Sequence, residues 1–136
     1  MDIAIRYYTK TGNTKKLAEA IAKTVGVPAE TIETPLEKAD ILFLGSSVYG
    51  GTLDPSVREF LSRLQPGQVS KIVVFGTAAI LHSTYRPIKR IAKQKGLSVS
   101  DKEFHCRGQA GKLHANRPNE EDLHAVSLFA NSFVQN

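Results

Sequence analysis

The stretch that decides the fold is Thr9-Lys10-Thr11-Gly12-Asn13-Thr14, which connects an apolar run to an amphipathic segment. Residues 3–8 before it are predicted to form a β-strand, and apolar residues recur at helical spacing over residues 17–25 after it. A phosphate at this position would accept hydrogen bonds from the unpaired N–H groups of the helix and from the threonine hydroxyls. The segment therefore predicts a phosphate-binding loop.

Two common nucleotide-binding motifs are absent from the chain. It contains neither the Walker A pattern G-x-x-x-x-G-K-[ST] nor the dinucleotide pattern G-x-G-x-x-G, so ATP and NAD are poorer candidates for this loop. Thr, Gly and Asn also suit an ordinary turn from strand to helix, and on the motif alone that interpretation stays open.

The rest of the chain alternates predicted strands with predicted helices. The further strands are residues 29–33 at a sheet edge, 41–44, 72–75 and 99–106. Helices are predicted to begin at Asp54-Pro55, after the loop at residues 76–83, and at the N-cap Asn119. Five strands and four helices in alternation predict a parallel sheet with helices on both faces.

The length and composition limit the class of protein. The chain has 136 residues, 41% of them hydrophobic, and a mean hydropathy of −0.21. This length predicts a single domain over residues 1–136 and excludes a large multidomain enzyme. We expect neither a signal peptide nor a membrane span. The single cysteine cannot form an internal disulfide, so we expect a cytoplasmic protein.

The run T-x-T-G-N-T after the first strand resembles the phosphate-binding signature of the flavodoxin family, and the order of elements is similar over essentially the whole chain. The resemblance implies a three-layer α/β fold whose doubly wound, five-stranded parallel sheet has the strand order 2-1-3-4-5. It also implies the short-chain form and non-covalently bound FMN. The phosphate-binding positions would be Thr9, Lys10, Thr11, Gly12, Asn13 and Thr14.

Two later loops match the flavin-ring loops of that family by position. After the strand at 41–44, the resemblance assigns Ser46, Ser47, Val48, Tyr49 and Gly50 to the ring, with Tyr49 as the stacking aromatic. The alternative is that Tyr49 only covers the sheet edge. A nucleophile elbow is excluded, because G-x-S-x-G would need glycine at Tyr49.

The loop after the strand at 72–75 matches less closely. Gly76, Thr77, Ala78 and Ala79 would contact the flavin through their backbone. Flavodoxins often carry an acidic residue and a second aromatic here, and the early part of this loop has neither. The redox potential of the family therefore does not carry over to this chain.

No metal site is predicted from the histidines and the cysteine. His105 and Cys106 are neighbours on a predicted strand and would point to opposite faces. His82, in the third loop, is the histidine that we would test for proton supply to a reduced flavin.

The positive charge is concentrated in one segment. Residues 58–95 hold eight basic residues and one acid, a net charge of +7, whereas the remaining 10 basic and 12 acidic residues give −2. Arg86, Lys89, Arg90 and Lys93 share one helix face, which is either a solvated face or a docking surface. Flavodoxins are usually acidic, so we expect an acidic redox partner or an anionic donor such as NADPH, and a less negative hydroquinone potential.

The leading functional hypothesis is an FMN-binding electron-transfer flavoprotein that shuttles electrons between redox partners. The second is a small FMN-dependent oxidoreductase that acts on NAD(P)H, quinone or protoporphyrinogen-type substrates. The third is a nucleic-acid-binding domain without flavin, which has no RNA-binding signature in its favour and leaves the first loop unexplained.

Overall fold

The computed structural model describes residues 1–49, 52–78, 83–108 and 116–134, and for Val48 and Tyr49 the backbone alone. These parts of the chain form six strands and four helices. In chain order they are β1 (Ile3–Tyr7), α1 (Asn13–Val25), β2 (Ala29–Thr31), β3 (Ala39–Tyr49), β4 (Thr52–Leu53), α2 (Pro55–Arg63), β5 (Val69–Ala78), α3 (Tyr85–Gln94), β6 (Phe104–Arg107) and α4 (Glu120–Val134).

Five of the strands form a parallel sheet in the order β2-β1-β3-β5-β6. The two-residue strand β4 lies outside this path and pairs antiparallel with the end of β3. With β4 set aside, the order is the 2-1-3-4-5 of the flavodoxin resemblance. The predicted fold class, a doubly wound α/β sheet, is confirmed.

The central strands are covered on both faces, as their apolar sequences predict. Along β3, Leu42 and Leu44 pack into the core under α2 and α3, whereas Ile41 and Phe43 pack into the core under α1 and α4. This alternation follows from the two-residue period of a strand. The sheet thus separates α2 and α3 on one side from α1 and α4 on the other.

Three predicted helix ends are confirmed by their cap geometry. Gly26 ends α1 with a left-handed φ of 78° and donates to the Ala22 carbonyl. Asp54 caps α2 by accepting from the Ser56 N–H at 2.9 Å. At α4, the Asn119 side chain accepts from the Asp122 N–H at 3.0 Å, and the Asp122 carboxylate accepts from the Asn119 N–H at 2.8 Å.

The strand boundaries at the ring loops were predicted wrongly. Strand β3 continues to Tyr49 and β5 to Ala78, because their small residues pair with each other, Ser46 with Gly76 and Ser47 with Thr77. Pairing with a neighbouring strand outweighs the weak strand propensity of Ser and Gly.

The last strand is shorter than the predicted range of 99–106. Val99 forms only an isolated bridge to Ile72, and regular pairing resumes at Phe104. Between them the Ser100 hydroxyl accepts the Lys102 N–H at 3.1 Å, a local side-chain bond that competes with the strand ladder.

None of the helices described is both long and apolar enough to cross a membrane.

Candidate functional site

The carboxyl ends of the parallel strands meet at one edge of the sheet. Tyr7 pairs with Gly45, Ser47 with Thr77, and Thr77 with Cys106. Strand order reverses between β1 and β3, because the chain goes outward from β1 to β2 and returns on the other side. Ligands of open parallel sheets bind beyond this point, and α1 begins directly above it.

The first loop presents the start of α1 without a side-chain cap. Gly12, at the N-cap position, has φ 90°, and no side chain in the described part of the chain caps the helix. The Thr9 hydroxyl instead accepts the Gly12 N–H at 2.9 Å, which closes the turn. The first helical turn holds Lys15 and Lys16 and no acid. This end of the helix therefore suits an anion electrostatically.

Gly12 also leaves room for a ligand. A Cβ built on it meets no atom of the described residues within 4 Å, and its positive φ is one that other residues adopt at a cost. Lys10 and Thr11, within the turn from Thr9 to Gly12, are exposed.

A cluster of three buried hydroxyls lies beneath the loop. Thr14 Oγ1 is 2.6 Å from Ser47 Oγ and 3.3 Å from Thr77 Oγ1, and the Ser47 and Thr77 hydroxyls are 2.7 Å apart. The three residues are exposed by 0%, 4% and 2%. The Thr14 side chain, predicted as a phosphate ligand, thus has two protein partners that join α1 to β3 and β5.

On the opposite face of β3, the Ser46 side chain is fully buried, and its Oγ finds no hydrogen-bond partner among the described residues. A buried hydroxyl without a partner is costly, and a bound ligand or water would remove that cost. Ser46, one of the predicted ring residues, therefore has a hydroxyl that could still form a hydrogen bond at this edge of the sheet.

Two glycines allow β3 and β5 to approach closely at this edge. A Cβ on Gly45 would lie 2.3 Å from Phe75 Cζ, and one on Gly76 would lie 2.1 Å from the Ser46 carbonyl oxygen. Both glycines are therefore required by the packing of the sheet. The predicted ring residues Thr77 and Ala78 belong to β5 and are buried.

The remaining ring predictions stay untested. Val48 and Tyr49 lie in β3, and only their backbone is described. Gly50, Ala79 and His82 lie outside the described residues. The stacking role predicted for Tyr49 therefore remains a prediction.

His105 has a structural role that its sequence context does not reveal. Its Nε2 accepts the Thr84 N–H at 3.1 Å, at the start of α3, and lies 2.8 Å from the Thr84 hydroxyl. The proton of the neutral ring is therefore on Nδ1, which lies 2.7 Å from Glu103 Oε1 without the alignment of a hydrogen bond. Burial lowers the pKa of His105 to about 4, so the ring is neutral at physiological pH.

Cys106 points to the other face, as predicted, and packs against the core under α1 and α4. Burial first, and then the Asp122 charge, raise the pKa of its thiol to about 12. The thiol is therefore protonated and a poor nucleophile. Across the described ranges, no three His, Cys, Asp or Glu side chains are grouped to hold a metal ion.

The comparisons with known proteins agree on the fold. A family model described as "Flavodoxin domain" matches residues 4–131. An uncharacterized protein from Methanocaldococcus jannaschii is 30% identical over 139 residues, which cover 91% of each chain.

Solved structures with low sequence identity share the same architecture. A flavodoxin from the domain Archaea superimposes with a TM-score of 0.76 at 18% identity, over 99% of this chain and 97% of that one. Flavodoxin 2 from Bacillus cereus gives 0.72 at 22% identity, over 99% of both chains. The flavodiiron core of Flv1 from Synechocystis gives 0.73 at 20% identity, over 99% of this chain but 35% of that one. On the family match over nearly its whole length, together with this fold, the chain belongs to the flavodoxin domain family.

Proposed function

We propose that this protein binds FMN non-covalently at the carboxyl edge of its sheet and carries electrons between redox partners. The observation that carries the proposal is the start of α1, which has no side-chain cap and no acid in its first turn and lies at the strand-order reversal. A phosphate there would gain hydrogen bonds from backbone N–H groups at the start of α1 and the positive end of the helix dipole. Membership of the flavodoxin domain family supports the same cofactor.

The residues present fit a flavin phosphate. The backbone N–H groups that begin α1 and the exposed hydroxyl of Thr11 would hold it, and Gly12 provides the clearance. The buried triad of Thr14, Ser47 and Thr77 would act one layer below, by fixing α1 against β3 and β5. When bound, FMN would supply the capacity to accept and release electrons.

The ring would lie along the ends of β3 and β5. At this edge the Ser46 hydroxyl has no hydrogen-bond partner among the described residues, and the Gly76 backbone lies close to the Ser46 carbonyl oxygen. The edge is therefore narrow and partly polar. The predicted contacts from Tyr49, Gly50 and Ala79 belong to the same proposal. The protein's part in the chemistry is to bind, to orient the ring and to limit its contact with water.

The test is a titration of the purified protein with FMN and with riboflavin, followed by quenching of flavin fluorescence. FMN should bind at least about tenfold more tightly than riboflavin, because only FMN carries the phosphate. Similar affinities for the two ligands would show that the phosphate site is misplaced.

A matched pair of variants locates the site. Thr11→Glu puts a negative charge into the first loop and should weaken FMN binding by about tenfold or more, with little effect on riboflavin. Ser132→Glu adds the same charge at an exposed position in the last turn of α4 and should leave both affinities unchanged. Equal effects of the two variants on FMN would contradict the assignment.

A turnover assay with the FMN-loaded protein distinguishes an electron carrier from an enzyme. As a carrier, it should show negligible steady-state turnover with NADPH and a quinone when no partner protein is present. Sustained turnover would replace the carrier proposal by a small FMN-dependent oxidoreductase.

A further inference from the structure

Most cations of the basic segment lie on one side of the sheet in the folded molecule, on α2 and α3. The layer of α2 and α3 holds six basic residues and one acid within the helices, a net charge of +5. The opposite layer, α1 and α4, holds three basic and four acidic residues within the helices, a net charge of −1. The sheet thus divides the molecule into a strongly basic side and a nearly neutral one.

The strongest part of this side is the outer face of α3. Ile88 and Ala92 face the core and are fully buried, which leaves Arg86, Lys89, Arg90 and Lys93 exposed along the helix. The four cations span about 10 Å along the helix axis. Together, these four cations form the α3 basic face.

Few of these charges are neutralised within the described part of the chain. Lys89 lies 3.4 Å from Asp101, whose side chain is 94% exposed, and its Nζ is 5.4 Å from the centre of the Tyr85 ring. On the neighbouring helix, Glu59 lies 3.8 Å from Arg63. Exposed pairs of this kind are weak and are readily exchanged for a partner's charges.

The arrangement is unfavourable to the helix itself. Arg86 and Arg90, and Lys89 and Lys93, are like charges at i and i+4, and each such pair destabilises a helix. The first turn of α3 carries Arg86 and no acid, although negative charge is favoured at a helix N-terminus. The first turn of α4, in contrast, carries Glu120, Glu121 and Asp122. A surface that opposes local stability in this way is expected where binding requires it.

The position of the face connects it to the candidate site. Helix α3 starts after the carboxyl end of β5, and Thr84 at its start is held by His105 on β6. The α3 basic face therefore begins near the edge of the sheet where the flavin is proposed to lie and extends away from it. A partner seated on this face would also reach that edge.

We propose that the α3 basic face is a docking surface for an acidic redox protein, a proposal that rests on the proposed electron-carrier function. An acidic surface complements the four cations and would gain speed of association from long-range attraction. A nucleic acid fits less well. The exposed large hydrophobic side chains of the described residues are Met1 and Leu128, and Tyr85 at the start of α3 is half-buried with Lys89 over its ring, which is a poor platform for stacking successive bases.

The experiment uses the FMN-loaded protein and an acidic ferredoxin as the probe. The rate of electron transfer is followed by stopped-flow absorbance while NaCl is raised from about 20 mM to about 300 mM. We expect the second-order rate constant to fall by at least about tenfold. A rate constant independent of salt would overturn the proposal.

Two charge-matched variants test the location. Arg86→Glu/Arg90→Glu should slow the reaction at low salt by at least about tenfold, and Lys23→Glu/Lys38→Glu, which changes the same number of exposed charges elsewhere, should slow it much less. The α3 variant should melt at the same temperature as the parent or higher, because it removes like-charge contacts. Equal slowing by both variants would show that only net charge matters and would overturn the assigned face.

Two further measurements separate this proposal from its alternatives. Calorimetry measures ferredoxin binding without the need for FMN. Binding of ferredoxin to a protein that does not bind FMN would therefore support the docking surface and contradict only the proposed cofactor. A short DNA duplex should bind more weakly than the ferredoxin at the same salt concentration. Tighter binding of the duplex, abolished by Arg86→Glu/Arg90→Glu, would assign the face to nucleic acid instead.

Discussion

Arg6 has a structural role that its position in an apolar strand does not predict. It lies within β1, is only 7% exposed, and donates to the carbonyls of Thr34 at 3.1 Å and Pro35 at 2.7 Å. Its guanidinium also lies 3.2 Å from the Glu30 carboxylate. Burial lowers the pKa of Arg6, and Glu30 partly opposes that effect. Arg6 thus fastens the segment after β2 to the sheet.

The neutral, buried state of His105 predicts a pH dependence of stability. Its pKa of about 4 in the folded protein lies below the ordinary value of 6.5. Between these two pH values, His105 is mostly protonated in the unfolded chain and mostly neutral in the folded protein. The stability from this group is fully present above pH 6.5 and is lost as pH falls toward 4. When the pH falls from about 8 to about 5, His105 alone lowers the free energy of unfolding by about 2 kcal/mol.

Urea unfolding at a series of pH values measures this loss. His105→Gln should flatten the dependence of the unfolding free energy on pH over that window, although the variant is less stable at every pH. His124→Gln, at an exposed position on α4, is the control and should keep the parental slope. A parental slope in His105→Gln would refute the buried neutral state.

At the scale of the element, the close contact of β3 and β5 depends on Gly45. Since Phe75 is fully buried and its ring occupies the place of a Cβ on residue 45, Gly45→Ala should destabilise the protein by about 2 kcal/mol or more. Chemical denaturation of Gly45→Ala, Phe75→Leu and the double variant forms a mutant cycle. The double variant should be more stable than the sum of the single losses predicts, because leucine removes the clash.

Additive losses in this cycle would show that the Gly45 requirement lies elsewhere, for example in the backbone of β3.

The elements also show where sequence patterns succeed and fail. Local signals gave the caps at Gly26, Asp54 and Asn119 correctly, because each cap is formed by residues within a few positions of the helix end. The extension of β3 and β5 through Ser46, Ser47 and Gly76 depends on pairing between strands far apart in the chain. No local pattern encodes that pairing.

At the scale of the whole molecule, the crowding of cations on one side predicts a salt effect on stability. Raising NaCl from about 10 mM to about 200 mM should raise the Tm by about 3 °C, because screening reduces the repulsion along α3. Arg86→Glu/Arg90→Glu should lose most of this increase. Differential scanning calorimetry at several salt concentrations measures both, and an equal increase in parent and variant would exclude α3 as the source.

The strand order was implied by the resemblance to the flavodoxin family. By itself, the sequence determined the alternating α/β class, the helix caps and the position of the candidate phosphate loop. These follow from hydrophobic periodicity and turn chemistry, which act over a few neighbouring residues. The tertiary structure alone decided that Arg6 and His105 act as buried anchors, that three hydroxyls meet under α1, and that the cations of α2 and α3 lie on the same side of the sheet. Those facts require residues distant in the chain to come together, and only the packing of both helical layers on the sheet does so.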